Sequence, residues 1–216
     1  MQHFSRRSVL ALLGAAPFAG ALVAQAATPS SSVPVENKSS RERIRERHFP
    51  NLLLTTHEGR KVRFYDDLLK DKIVLINFMY VKCEGVCPGI TANLAKLQKI
   101  LGSRLGRDIF MYSFTLKPEE DTPDVLRRYA EAYKVRKGWS FLTGAPADME
   151  LLRRKLGFTD PDPTIDAIKS SHIGNVRYGN EPLQLWGSCP GMSKASWIAE
   201  SIRWVDVPQT AKGEGK

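Results

Sequence analysis

Sulfur is scarce in this chain of 216 residues: it has three cysteines and five methionines, alongside four histidines. So few cysteines exclude a fold stapled by several disulfides, and they confine any thiol or soft-metal chemistry to a few positions. After the first 26 residues no apolar run approaches the roughly 20 residues needed to cross a bilayer. There is no internal repeat, no phosphate-binding glycine loop and no Ser/His/Asp signature. Concentrated positive charge is missing too. The net charge is +9, but its arginines and lysines are scattered, as at 41–47, 127–128 and 153–155, with acids close by. That pattern describes solvated faces and argues against a nucleic-acid partner.

The N-terminus carries Ser5-Arg6-Arg7-Ser8-Val9-Leu10, then an apolar stretch over 11–23 broken by Gly14, Pro17 and Gly20, then Ala24-Gln25-Ala26. Small residues at the exit and paired arginines at the start predict a twin-arginine (Tat) signal peptide over 1–26, a mature start at Ala27 and a periplasmic protein. Retention of the signal would instead make it a membrane anchor, giving weak membrane association. Residues 27–47, rich in Ser, Pro and charge, are expected to form a flexible leader. A single domain is expected over 48–207, followed by a flexible tail at 208–216.

Within that domain, 52–56 and 61–65 around His57-Glu58-Gly59-Arg60 read as an N-terminal β-hairpin. The run Ile73-Val74-Leu75-Ile76-Asn77-Phe78-Met79-Tyr80 is nearly all apolar, as a strand covered on both faces must be. Apolar residues at Ile90, Leu94, Leu97 and Ile100 then recur at helical spacing, with Pro88 to open the helix and Gly102 to close it. A second strand is expected over 109–116, a helix over 122–133 capped by Asp121 or Thr122, a strand near 139–142 and a helix over 147–156. The segment 157–171, with Pro161 and Pro163, reads as a loop. Residues 173–177 and 183–186 flank Gly179-Asn180 as a late hairpin, and a last helix spans about 193–202. Trp186, Trp197 and Trp204, with Leu183, Leu185 and Ile202, are spaced as packing residues. Alternating strands and helices give an α/β sandwich of thioredoxin-like type with a mixed central sheet.

Cys83-Glu84-Gly85-Val86-Cys87-Pro88 places two thiols four residues apart where a strand turns into a helix. Exposed N–H groups and the helix dipole favour thiolate there. Two such sulfurs can close a reversible disulfide or clamp a soft ion such as Cu(I), and the spacing alone does not choose. A purely structural bridge across so small a loop would contribute little.

The stretch from Val74 to Tyr80 followed by Cys83-Glu84-Gly85-Val86-Cys87-Pro88 resembles the Sco/SenC family of copper chaperones for cytochrome c oxidase. The resemblance runs from about Asn51 to Trp204 and includes Asp121-Thr122-Pro123 before a helix. It departs from the family pattern at Lys117-Pro118, where Asp-Pro is usual, and after His172, where Ile173-Gly174-Asn175 replaces a Ser-led strand. By this resemblance His172 is the third metal ligand beside Cys83 and Cys87, and the cofactor is copper as Cu(I) or Cu(II). The implied partner is a copper-receiving apo-protein such as a cytochrome c oxidase subunit, and the implied role is a metallochaperone without substrate turnover.

The competing reading is an enzyme, a thiol–disulfide oxidoreductase in which Cys83 and Cys87 are the catalytic pair, recharged by a thioredoxin-like reductant. A peroxidase would need a lone acidic thiol, which the second cysteine and Glu84 disfavour. The remaining sulfurs, Cys189 and Met192 in Gly187-Ser188-Cys189-Pro190-Gly191-Met192, could touch a soft metal or resolve a mixed disulfide. An unpaired buried thiol is the plainer expectation for Cys189.

Overall fold

The computed structural model describes residues 38–168 and 174–206. The expected signal peptide, the first part of the leader, the tail over 208–216 and His172 therefore lie outside the described residues.

In chain order the elements are α1 (Ser40–His48), β1 (Leu53–Thr56), β2 (Lys61–Arg63), a wide π-type turn (Phe64–Leu69), β3 (Ile73–Met79), α2 (Cys87–Leu101), β4 (Ile109–Thr115), α3 (Pro123–Ala132), β5 (Trp139–Thr143), α4 (Pro146–Lys155), the single turn α5 (Pro163–Asp166), β6 (Asn175–Asn180), β7 (Leu185–Pro190) and α6 (Ala195–Val205). They build one mixed seven-stranded sheet in the order β2-β1-β5-β4-β3-β6-β7. The strands β5, β4 and β3 run parallel, while β1 joins β5 and β6 joins β3 antiparallel. This is the expected thioredoxin-like arrangement.

Every residue of β3 is buried because the sheet is covered on both sides. On one face Asn77, Ser113 and Trp139 share hydrogen bonds, Ser113 Oγ donating to Asn77 Oδ1 at 2.7 Å and the indole N–H donating to Ser113 Oγ at 3.0 Å. Helices α2, α3 and α6 close that face; the Tyr129 hydroxyl of α3 donates to Thr91 of α2, and its ring meets Phe141 edge-on. On the other face Phe114 packs against Phe64 of the π-type turn and against Phe78, which in turn meets Phe158 beyond α4. The loops before β4 and β5 touch through Gly106 and Gly138, both with positive φ; a Cβ on Gly138 would lie 2.3 Å from Gly106 N.

The leader departs from expectation. Its last part is helix α1, which buries no apolar residue and so shows no periodicity to read. Polar contacts form it instead: Ser39 and Glu42 make a reciprocal capping box, Lys38 pairs with Glu46, and Arg41 reaches the carboxylate of Glu181 at 2.6 Å. Glu181 is wholly buried and also accepts from the Tyr65 hydroxyl (2.8 Å), the Asp71 N–H (3.0 Å) and the Gln184 amide. Those donors outweigh burial and hold its carboxyl below the usual glutamate range.

The late hairpin is present, but its turn is Glu181–Gln184 and not Gly179-Asn180, which lie inside β6. Gly179 serves packing: a Cβ there would fall 2.1 Å from the Trp186 indole, which crosses the strand. Asn180 donates its side-chain amide to Val205 O. The packing role expected for the tryptophans is also corrected. The buried stripe of α6 is Ala195, Ile198, Ala199, Ile202 and Val205, leaving Trp197 and Trp204 68% and 74% exposed on the opposite side. Leu183 and Leu185 are exposed as well, and only Ile202 and part of Trp186 reach the core. In the predicted loop, Asp162 caps the short helix α5.

His57 sits at the β1–β2 turn with its ring buried, and Nδ1 accepts the Phe141 N–H at 3.1 Å. Burial lowers its pKa below the ordinary 6.5, so the folded state binds the proton less readily than the unfolded chain. The stability His57 contributes is therefore complete above about pH 6.5 and is lost as pH falls below it toward the folded pKa. We expect the thermal midpoint to drop on acidification from pH 7 to pH 5, and less so in His57→Gln, which keeps an acceptor but cannot charge. Equal acid sensitivity in both proteins would remove His57 as the cause.

Candidate metal centre

Strand β3 ends at Met79 and releases a tight loop, Tyr80–Val86, that runs straight into α2 with Cys87 as its first residue. Pro88 sits in the first helical turn, where its missing N–H costs nothing. The Cys83 N–H donates to Tyr80 O, and Thr91 Oγ1 of α2 donates to Cys87 O at 2.9 Å. The loop is held from below by Asp121, whose carboxylate accepts the Val81 N–H at 3.1 Å and the Thr115 hydroxyl at 2.5 Å. Asp121 is buried, and burial pushes its carboxyl above the ordinary aspartate value. The cap of α3 falls instead to Thr122, which accepts the Val125 N–H. Above the loop, Lys117 lies 4.8 Å over the Tyr80 ring, and Lys82 pairs with Glu120 at the surface.

Neither cysteine is joined in a disulfide, and both are nearly enclosed, Cys83 5% and Cys87 1% exposed. Their side chains are hydrogen-bonded to each other. Burial opposes ionisation of Cys83, but the Cys87 thiol, the N–H groups of Cys87 and Gly85 and the Tyr80 hydroxyl all support its thiolate and bring its pKa below the ordinary value. Cys87 takes the opposite course. Burial and the bond with Cys83 push its thiol up to about 12. The pair thus gives up its first proton more readily than a lone thiol and holds its second, with Cys83 as the sulfur that ionises. Iodoacetamide is accordingly expected to label Cys83 before Cys87 in the reduced chain, as read by peptide mass spectrometry; labelling led by Cys87 would reverse the assignment.

A second arm reaches this end of the sheet from the far part of the sequence. Because β6 runs antiparallel to β3, with Ile76 opposite Arg177, the residue just before β6 returns to the end where the cysteine loop starts. That residue is Gly174, whose carbonyl accepts the Gly191 N–H at 2.8 Å. A Cβ on Gly174 would lie 3.2 Å from Ile90 and 3.4 Å from Val86, so the chain here is laid on the first turn of α2. His172 is two residues upstream and outside the described residues.

The other sequence candidates are also placed. Cys189 is half-buried on β7 opposite Val176, with its thiol raised by burial alone, and neither Cys83 nor Cys87 acts on it. Met192 rests its sulfur against the Cα hydrogen side of Gly89, where a Cβ would be only 3.0 Å away. The amide of Asn93 donates to Gly191 O and Ser193 O on either side of it. Glu84 is exposed on the loop. Among the described residues no three His, Cys, Asp or Glu side chains form a cluster able to hold a metal ion. No described helix is long and apolar enough to cross a membrane.

The model of the SCO1/SenC family matches residues 40–180, which takes in the hairpin, β3, the cysteine loop, α2 and all of β6. The chain belongs to the SCO1/SenC family. A SCO1 protein homolog of Bacillus subtilis (strain 168) is 38% identical over 88 residues, 40% of this SCO1/SenC chain and 44% of the relative. The chain spans less than two thirds of the length of the curated relatives it matches. Among solved structures, a SCO1/SenC family lipoprotein from Bacillus anthracis str. Ames superposes with a TM-score of 0.59 at 22% identity, covering 72% of this chain and 93% of that one. Bradyrhizobium japonicum ScoI with copper bound gives 0.57 at 21% identity over 71% and 96%. These likenesses bear out the thioredoxin-like fold of this SCO1/SenC protein. Sequence reading missed the role of Asp121 under the cysteine loop; its only signal was an acid directly before a well-formed Thr-Pro helix start.

Proposed function

We propose that this SCO1/SenC protein is a periplasmic copper metallochaperone that carries copper on Cys83, Cys87 and His172 and passes it to an exported apo-protein. The receiver we favour is the binuclear copper centre of a respiratory cytochrome c oxidase. One observation carries the reading: two thiols in mutual contact, one disposed to ionise, at the mouth of a rigid strand–loop–helix. Soft thiolates select Cu(I), and an imidazole completes a three-coordinate shell open enough for exchange. Gly174 beside Val86 supports His172 as that imidazole, since two residues of chain reach at most about 7 Å. The copper bound to ScoI of Bradyrhizobium japonicum supports copper as the cargo. Export by the twin-arginine route rests on the N-terminal sequence, and the lipoprotein relative fits a life outside the cytoplasm.

The test is copper stoichiometry and affinity on the reduced chain without its signal, kept anaerobic, with thiols counted in the same samples. Wild type is expected to bind one copper tightly, and His172→Ala to lose much of that affinity with both thiols still reduced. If neither binds, the chaperone reading fails.

A second reading, a thiol–disulfide oxidoreductase, is favoured by the closeness of the two thiols and by a structural relative, the BsSco protein, in which a disulfide switch was identified. Cys83 would attack a partner disulfide and Cys87 would resolve the mixed disulfide, leaving the partner with two thiols and this chain with one disulfide. A thioredoxin-like reductant would restore the pair. His172→Ala would then leave disulfide reduction intact.

A further inference from the structure

The N-terminal ends of β3, β4 and β5 lie at the end of the sheet away from the cysteine loop, separated from it by the seven residues of β3, roughly 20 Å. A cavity of about 430 Å³ opens there beneath the π-type turn. Its lining is strongly cationic, with Arg60, Lys61, Lys72 and Lys137 against one carboxylate, Asp67. Asp67 is engaged by the Arg63 N–H at 2.6 Å. At the surface Arg60 pairs with Glu58, and Lys61 donates to the Thr55 hydroxyl. Lys72 and Lys137 are different: among the described residues neither has a carboxylate partner, and Lys72 lies 5.7 Å over the Phe110 ring.

The lining also includes Tyr112, stacked beside Phe110 at 6.5 Å and 7°. Tyr112 is only 4% exposed, and among the described residues its hydroxyl is not one of the enclosed polar atoms left without a partner, so it opens into the cavity. Burial raises its pKa, so it remains a proton donor at any physiological pH.

We propose that this cavity binds a phosphate-bearing small molecule, its oxyanion held between Lys72 and Lys137 and accepting the proton of the Tyr112 hydroxyl. Two lysines without counter-charge and one neutral donor suit a multiply charged oxyanion better than a single carboxylate. The volume exceeds what inorganic phosphate fills, leaving room for the organic remainder against the Phe110 and Tyr112 rings. The site is independent of the cysteine loop and of whatever that loop carries.

Calorimetric titration of the chain with inorganic pyrophosphate tests it. Saturable one-to-one binding is expected, weakened about tenfold in Tyr112→Phe and in Lys137→Ala. It should be unchanged in Arg128→Ala, which removes the same single charge from α3 as Lys137→Ala removes from the cavity, and in Cys83→Ser. Circular dichroism confirms that the variants fold. Flotation with phosphatidylglycerol vesicles that pyrophosphate reverses would identify a lipid headgroup as the phosphate source, and no flotation alongside pyrophosphate binding would identify a free compound. Absence of saturable pyrophosphate binding, or Tyr112→Phe binding as wild type does, overturns the proposal.

Discussion

Cys83→Ser and Cys87→Ser are each expected to lose Cu(I) affinity by at least about a hundredfold, measured by competition with a chromogenic Cu(I) chelator. The magnitude follows from closed metal sites, where about 10–16 kcal/mol is shared among four ligands, so that one sulfur is worth about 3 kcal/mol. A serine hydroxyl is a hard, weakly acidic donor and does not replace thiolate for a soft ion. The two substitutions should differ in their side effects. Cys83 takes hydrogen bonds from Gly85, Cys87 and Tyr80, so replacing it disturbs the loop; Cys87 opens α2 and is the more enclosed. Loss in one variant with wild-type affinity in the other would mean that the thiols do not act as a joint site, and the copper reading would fall.

Glu181→Ala is expected to be the most damaging substitution outside the site, at about 3 kcal/mol, or a fall of roughly 6–12 °C in the thermal midpoint. The carboxylate is fully buried and satisfies the Tyr65 hydroxyl, the Asp71 N–H and Arg41 together. Removing it orphans the Tyr65 hydroxyl inside the protein and frees the part-buried Asp71 N–H. Arg41 is nearly half exposed, so Arg41→Ala leaves its former partner with three donors and should cost no more than about 1 kcal/mol. Calorimetric melting of both variants decides the matter: equal losses would show that the ion pair, and not the buried hydrogen bonds, holds α1 and the hairpin turn.

Strand β3, the cysteine loop and α2 were legible because their signals are independent and agree: a continuous apolar run, a CxxxCP turn and helical apolar spacing closed by Gly102. The parallel core followed from the alternation of elements. Legibility failed where polar or steric detail decides. Helix α1 has no apolar face to betray it. Gly179 and Asn180 look like a turn but are needed for the passage of Trp186 and for a bond to Val205. Trp197 and Trp204 carry core chemistry on the outward side of α6, where only the phase of the helix tells inside from outside. Asp121 reads as a cap from its neighbours in sequence, whereas its use is to hold Val81, which is distant in sequence.

The antiparallel pairing of β3 with β6 joins Ile73 to Asn180 and Ile76 to Arg177 across about half the chain. The cysteine loop and α2 are local and can form as soon as they are synthesised, but the Gly174 arm waits for β6 and its hairpin partner. Such long-range closure is slow and comes late in folding. A ribosome-bound or truncated chain ending before the hairpin would thus present both sulfurs on an unfinished sheet, before the Gly174 segment is laid on Val86 and Ile90.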